Sequence, residues 1–167
     1  MTPTYRDAGA ADLPAIDRLF RASFAATFGH LYAPADLQAF FARFTPEAWA
    51  ERLATNRFRL AEVGGEPVGY AQLGTVTMPT EHVPGDRELR QLYLAEHAKG
   101  TGVADALMRW TIDAARAEGA ATLFLSVYVD NARAIRFYDR YGFRDVGAYA
   151  FMVGDHEDED RIMRLDL

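Results

Sequence analysis

The sequence predicts an α/β fold in which helices pack on a mixed, mostly antiparallel sheet. Three observations carry this expectation. Phe58 to Val63 and Val68 to Val76 are strand-like segments separated by Gly64-Gly65-Glu66-Pro67, a hairpin connection. Leu89 to Leu94 and Leu123 to Val129 are separated by a helix-length segment, the connection that parallel neighbours require. Ahead of all four, apolar residues recur at helical spacing.

Taken in order, Tyr5 opens a first strand. Ala11 to Phe28 carries Leu13, Ile16, Leu19, Phe20 and Phe24 on one helical face, with Asp12 as its expected cap. Pro34 starts a second helix through Ala39, Phe40 and Phe44. Thr45-Pro46-Glu47 is a cap and first turn for a third, ending near Asn56. The hairpin follows, then a loop from Pro79 to Arg87 and the strand Leu89–Leu94, apolar at alternate positions. Val103, Leu107, Met108, Ile112 and Ala115 mark a fourth helix that stops at Gly119. After the strand Leu123–Val129, Ala134, Ile135 and Tyr138 give a short amphipathic helix capped by Gly142. Arg144 to Val153, an acidic turn, and Arg161 to Leu167 form a closing hairpin.

The segment Lys99-Gly100-Thr101-Gly102-Val103-Ala104 stands between a strand and a helix. A helix N-terminus exposes unpaired N–H groups and the positive end of the dipole, so it attracts phosphate. Glycine there lets a diphosphate approach the backbone. Lys99, the one lysine of the chain, adjoins it. The pattern is no P-loop, because the lysine precedes the glycines. It is no dinucleotide fingerprint either, because Asp105 replaces the third glycine. The residues alone leave two readings open, an anion cradle and a simple tight turn.

Length and composition bound the rest. A chain of 167 residues is expected to form a single domain, residues 1–167, with a proper core. The absence of an apolar leader or spanning run makes the cytoplasm the expected location, with no membrane partner. Zero cysteines exclude disulfides, thiolate metal sites and a cysteine nucleophile. A net charge of −6 argues against nucleic acid and is compatible with a cationic substrate. The two serines, Ser23 and Ser126, lie in no nucleophile elbow. His30, His82, His97 and His156 never fall at metal-ligand spacing and read as surface or partly satisfied side chains, so no metal is expected.

Asp130-Asn131-Ala132-Arg133-Ala134-Ile135-Arg136-Phe137-Tyr138, followed by Gly142-Phe143, joins the glycine turn to a family. The pair of motifs resembles the GCN5-related N-acetyltransferases (GNAT). That family carries a basic or amide residue before Gly-x-Gly-x-Gly/Ala, and later Asn-x-x-Ala-x-x-Phe-Tyr and Gly-Phe. Ala104 stands where glycine is commonest. The resemblance spans nearly the whole chain and implies a GNAT fold, a mixed, mostly antiparallel sheet whose central strands splay apart in a V.

It also implies acetyl transfer from acetyl-CoA, as co-substrate, to an amine by direct attack, with no covalent enzyme intermediate. Strand end Leu92-Tyr93-Leu94 would pair with the pantetheine arm through the backbone groups of Leu92 and Leu94. Amides of Gly100, Thr101, Gly102, Val103 and Ala104 would hold the diphosphate, with Lys99 nearby, and Asn131 would hydrogen-bond the arm. Tyr138 matches the general acid toward the thiolate; its other reading is a core tyrosine. Glu88, six residues before Leu94, is either the general base or a strand-start glutamate.

A narrower resemblance, to the PaiA-type polyamine acetyltransferase branch, rests on Leu92 to Glu96, Val146 to Asp155 and Asp160 to Met163; Glu96 replaces a proline usual there. A small-molecule amine, with a polyamine leading, is therefore the expected partner of a monomer or homodimer. A protein N-terminus, an amino acid, an aminoglycoside, or a non-catalytic CoA-binding role are the alternatives. The run Asp155 to Asp160 reads first as a solvated hairpin turn, and second as a negative field for a cationic acceptor. Phe24, Phe28, Tyr32, Phe40 and Phe41 are expected to be mostly core.

Overall fold

The computed structural model describes residues 1–167. Its strands are β1 (Thr4–Asp7), β2 (Arg57–Val63), β3 (Glu66–Thr75), β4 (Arg87–Leu94), β5 (Thr122–Tyr128), β6 (Arg144–Val153) and β7 (His156–Asp166). They form one sheet of order β1-β2-β3-β4-β5-β7-β6. Neighbours are antiparallel except β4 and β5, which run parallel around a helical crossover. The helices are α1 (Leu13–Phe28), α2 (Pro34–Phe41), α3 (Pro46–Thr55), α4 (Val103–Ala117) and α5 (Ala132–Arg140).

Local chemistry sets most boundaries. Gly64 and Gly65 have φ of 61° and 83°, the doubly left-handed geometry that closes a two-residue hairpin, so β3 begins at Glu66. Thr45 caps α3 by accepting the Ala48 N–H at 3.1 Å. Asp12 does not cap α1 as expected; its carboxylate pairs with Arg6 at 2.7 Å and accepts the Gly9 N–H. Helix α2 stops at Phe41, short of Phe44, because Arg43 and Phe44 turn tightly onto the carbonyls of Phe40 and Phe41. The Phe44 ring still enters the core, from a loop.

The main correction concerns the acidic run. It is not a solvated turn: the turn is confined to Gly154-Asp155, and residues from His156 onward are strand β7. Along β7, Glu157 and Glu159 face solvent while Asp158, Asp160 and Ile162 face inward. Antiparallel pairing with β5, Tyr128 opposite Asp160 and Ser126 opposite Ile162, fixes this alternation.

Two cores sandwich the sheet. Leu107, Met108, Leu123 and Leu125 centre the one beneath α4, against which α5 packs through Ala134, Ile135 and Tyr138. Ile16, Phe20, Trp49 and Leu60 centre the one beneath α1 and α3. The sheet opens in the middle: β4 and β5 pair only at Arg87 with Leu123 and Glu88 with Phe124. Beyond that the strands part in the V the resemblance implies. A bulge at Arg90, between the pairs Leu73–Leu89 and Gln72–Gln91, bends β4 at the same level.

Candidate active site

The V opens into a cleft of about 720 Å³ lined by β4 from Leu89 to Leu94 and by β5 from Leu125 to Tyr128. One end lies at the start of α4 beside α5, the other against α1 and β7.

The α4 end is built to take an anion. None of the six N–H groups from Gly100 to Asp105 donates a hydrogen bond within the chain; Ala106 is the first to bond back, to Gly102. Gly100 and Gly102 have φ of 75° and 91°, and a Cβ built at either meets no atom within 4 Å, so the approach to the backbone is open. Gly100, Gly102, Ala104 and Lys99 line the cleft, whereas Thr101 and Val103 do not. The Thr101 hydroxyl donates to the Ala98 carbonyl, and the Val103 side chain is buried in the core. Glu96 holds the Lys99 ammonium beside the turn. Three arginines of α5 that sequence reasoning missed, Arg133, Arg136 and Arg140, also line this end. Their i, i+3, i+7 spacing was the available signal.

In the middle of the cleft, Asn131 caps α5 by accepting the Ala134 N–H at 3.3 Å. Tyr138 lines the wall, and burial pushes its hydroxyl up to about 12. Tyr93 lines it as well, its ring packed 5.2 Å from that of Phe20, and burial raises its hydroxyl too. On β4 the edge facing β5 is unpaired from Leu89 onward, and the Ser23 hydroxyl donates to the Leu94 carbonyl at 3.0 Å.

At the far end, Asp158 and Asp160 line the cleft from β7, only 6% and 7% exposed. Asp158 accepts from the Tyr32 hydroxyl, and His156 Nε2 lies 3.0 Å from its other oxygen. Asp160 has no cationic partner within ion-pair distance. Burial first, and the Asp158 charge second, push its carboxyl up to about 7, while the Ser126 hydroxyl works the other way. Gln91 adds an amide whose Oε1 accepts from Tyr70 at 2.8 Å. Of the expected core aromatics, Phe24, Phe28 and Tyr32 also line this end. Both serines of the chain do so too, Ser23 from α1 and Ser126 from β5.

The comparisons with known proteins agree with this geometry. The sequence profile of the acetyltransferase (GNAT) family matches residues 13–143. The chain belongs to the GNAT family. An uncharacterized N-acetyltransferase of Mycobacterium tuberculosis is 35% identical over 141 residues, covering 81% of this chain and 85% of that protein. An L-methionine sulfoximine/L-methionine sulfone acetyltransferase of Pseudomonas paraeruginosa is 28% identical over 151 residues, 88% and 83% of the two chains. Among solved structures, the PaiA N-acetyltransferase of Thermoplasma acidophilum, in complex with coenzyme A, superimposes with a TM-score of 0.82 over 100% of both chains at 18% identity.

As a GNAT enzyme, the protein is an acyl-CoA-dependent N-acetyltransferase with acetyl-CoA as its co-substrate. No three His, Cys, Asp or Glu side chains come together in a set that could hold a metal ion. No helix is long and apolar enough to cross a membrane. Of the expected site residues, Glu88, Thr101 and Val103 lie outside the cleft lining. The buried Glu88 carboxylate accepts from the Thr77 N–H at 2.9 Å and from the Thr77 hydroxyl at 3.1 Å. It anchors the loop after β3, at the level where β4 and β5 are still paired.

Proposed function

We propose that the protein acetylates a primary amine of a small, multiply charged cation, with a polyamine as the leading acceptor. The observation that carries this reading is the acceptor end of the cleft, where two buried carboxylates, Asp158 and Asp160, face inward and no cation is paired with Asp160. An ammonium group supplies the charge that this wall lacks. The PaiA-like C-terminal segment supports the same acceptor class.

At the other end, the free N–H groups of Gly100 to Ala104 would hold the diphosphate of acetyl-CoA, and Lys99 would add its charge. The unpaired edge of Leu92-Tyr93-Leu94 would bond the pantetheine arm as a strand does, with the Asn131 amide beside it. Bound acetyl-CoA supplies an activated acetyl thioester. Tyr138, whose raised value keeps it protonated, would donate its hydroxyl proton to the departing sulfur.

A second reading, an amino-acid acceptor, is favoured by the Pseudomonas relative named for methionine sulfoximine. Such an acceptor brings a carboxylate and needs a cation at the acceptor end. Arg90 is the arginine on that wall, and its guanidinium is tied to the Thr75 carbonyl at 2.8 Å. The test is an acetyl-CoA-dependent thiol-release screen across polyamines, amino acids, aminoglycosides and an N-terminal peptide. Spermidine should turn over, with a Michaelis constant that rises with salt. Turnover of an amino acid or peptide with none of any polyamine would overturn the acceptor assignment.

A further inference from the structure

We infer that Asp160 is the general base of the transfer, the carboxylate that takes the proton from the acceptor ammonium, and that Asp158 is the residue that positions it. The inference rests on the amine-acetylation reading above.

The argument starts from the alternation along β7. Residues two apart on a strand face the same way, so the pairing that points Ile162 into the core also points Asp160 and Asp158 at the cleft. The two carboxylates differ in what holds them. Asp158 has both oxygens engaged, one by Tyr32 and one by His156, and is fixed as an acceptor. Asp160, equally buried, has no ion pair and lines the cleft. A buried carboxylate without a cation, beside a second carboxylate, does not hold its charge easily.

The groups facing Asp160 are Asp158 on its own strand, Ser126 and Tyr128 on β5, Tyr93 on β4, Tyr149 on β6 and Tyr32 after α1. The tyrosines are all raised above their ordinary value and stay neutral, so Asp158 is the one charge among these neighbours. An entering ammonium therefore meets a base tuned near neutrality, at about 7, where general-base catalysis is most effective. Glu88, by contrast, lies outside the cleft lining, its Oε1 accepting from the Thr77 N–H and hydroxyl.

The proton accounting closes. The ammonium gives one proton to Asp160, and its freed lone pair forms the C–N bond to the thioester carbon. The C–S bond breaks with its electron pair on sulfur, which takes a proton from Tyr138. The nitrogen then sheds a second proton, which restores Tyr138, and Asp160 releases its proton to solvent as the amide leaves.

The test is kcat, and kcat/KM for the acceptor, against pH at saturating acetyl-CoA, for wild type, Asp160→Asn and Asp158→Asn. Wild-type kcat/KM for the acceptor should rise through about pH 7. Asp160→Asn should lose about 10²–10⁴-fold in kcat and the rise itself, while retaining acetyl-CoA affinity by calorimetry. Asp158→Asn should move the rise to lower pH, because removing the neighbouring negative charge eases ionisation of Asp160. An Asp160→Asn enzyme within about two-fold of wild-type kcat, with only the acceptor KM raised, would make Asp160 a binding group and overturn the proposal. The assay uses whichever amine the screen returns, so failure of spermidine alone changes the acceptor and not the base. A readout independent of turnover is the carboxyl infrared difference between wild type and Asp160→Asn in the acetyl-CoA complex. A carboxyl titrating near neutrality supports the assignment, and one titrating in the ordinary carboxylate range contradicts it.

Discussion

Asp160 links the chemistry of the cleft to the stability of the fold. Its carboxyl is pushed up from 3.8 to about 7 on folding, so between those values the folded chain binds more protons than the unfolded one. Stability contributed by this group is therefore present at low pH and declines as pH rises through that window. Asp160→Asn removes the liability: at about pH 8 it should melt higher than wild type, with the gain shrinking toward about pH 5. Thermal melts at the two pH values check this, and a variant less stable at pH 8 would contradict it. Tyr138→Phe keeps the ring in the packed core beside Phe143, 5.9 Å away, and removes the hydroxyl alone. Turnover should fall by about 10²–10⁴-fold with acetyl-CoA affinity little changed, as measured by steady-state kinetics and calorimetry.

At the scale of elements, the start of α4 and the body of α4 make separable predictions. Ala104→Glu places a carboxylate against the open N–H groups at a position with ordinary backbone geometry, whereas Gly102→Glu adds strain at φ 91°. Both should weaken acetyl-CoA binding by roughly 10–100-fold, the loss of one or two charge-assisted hydrogen bonds, as calorimetry would read. Leu107, fully buried beneath the sheet, should instead cost about 2–5 kcal/mol of stability on truncation to Ala, read by chemical denaturation. This end of the molecule was legible in the sequence because glycine and helix periodicity both signal it locally. The β7 wall was not. A run of five acids among six residues resembles a solvated turn, and the inward alternation of Asp158, Asp160 and Ile162 emerges only once Tyr128 is seen opposite Asp160.

Across the whole molecule, the fold was readable from segment order, because hairpins and one helical crossover admit few mixed sheets. The site was half readable. Lys99 to Ala104, Asn131 and Tyr138 are carried by short motifs, and all but Thr101 and Val103 line one cleft. Glu88 matched its position along β4, yet its carboxylate is bound by Thr77 and it is absent from the cleft lining. Its expected work is proposed for a residue more than seventy positions later, joined to the site through sheet order alone. The account's central claim is that one cleft holds acetyl-CoA at the α4 end and a cationic amine at the β7 end. A crystal structure of the ternary complex with coenzyme A and spermidine tests it most directly. The diphosphate is expected on the N–H groups of Gly100 to Ala104, with an ammonium within hydrogen-bond distance of Asp160. An amine seated away from β7, or a diphosphate held anywhere but that turn, would contradict it.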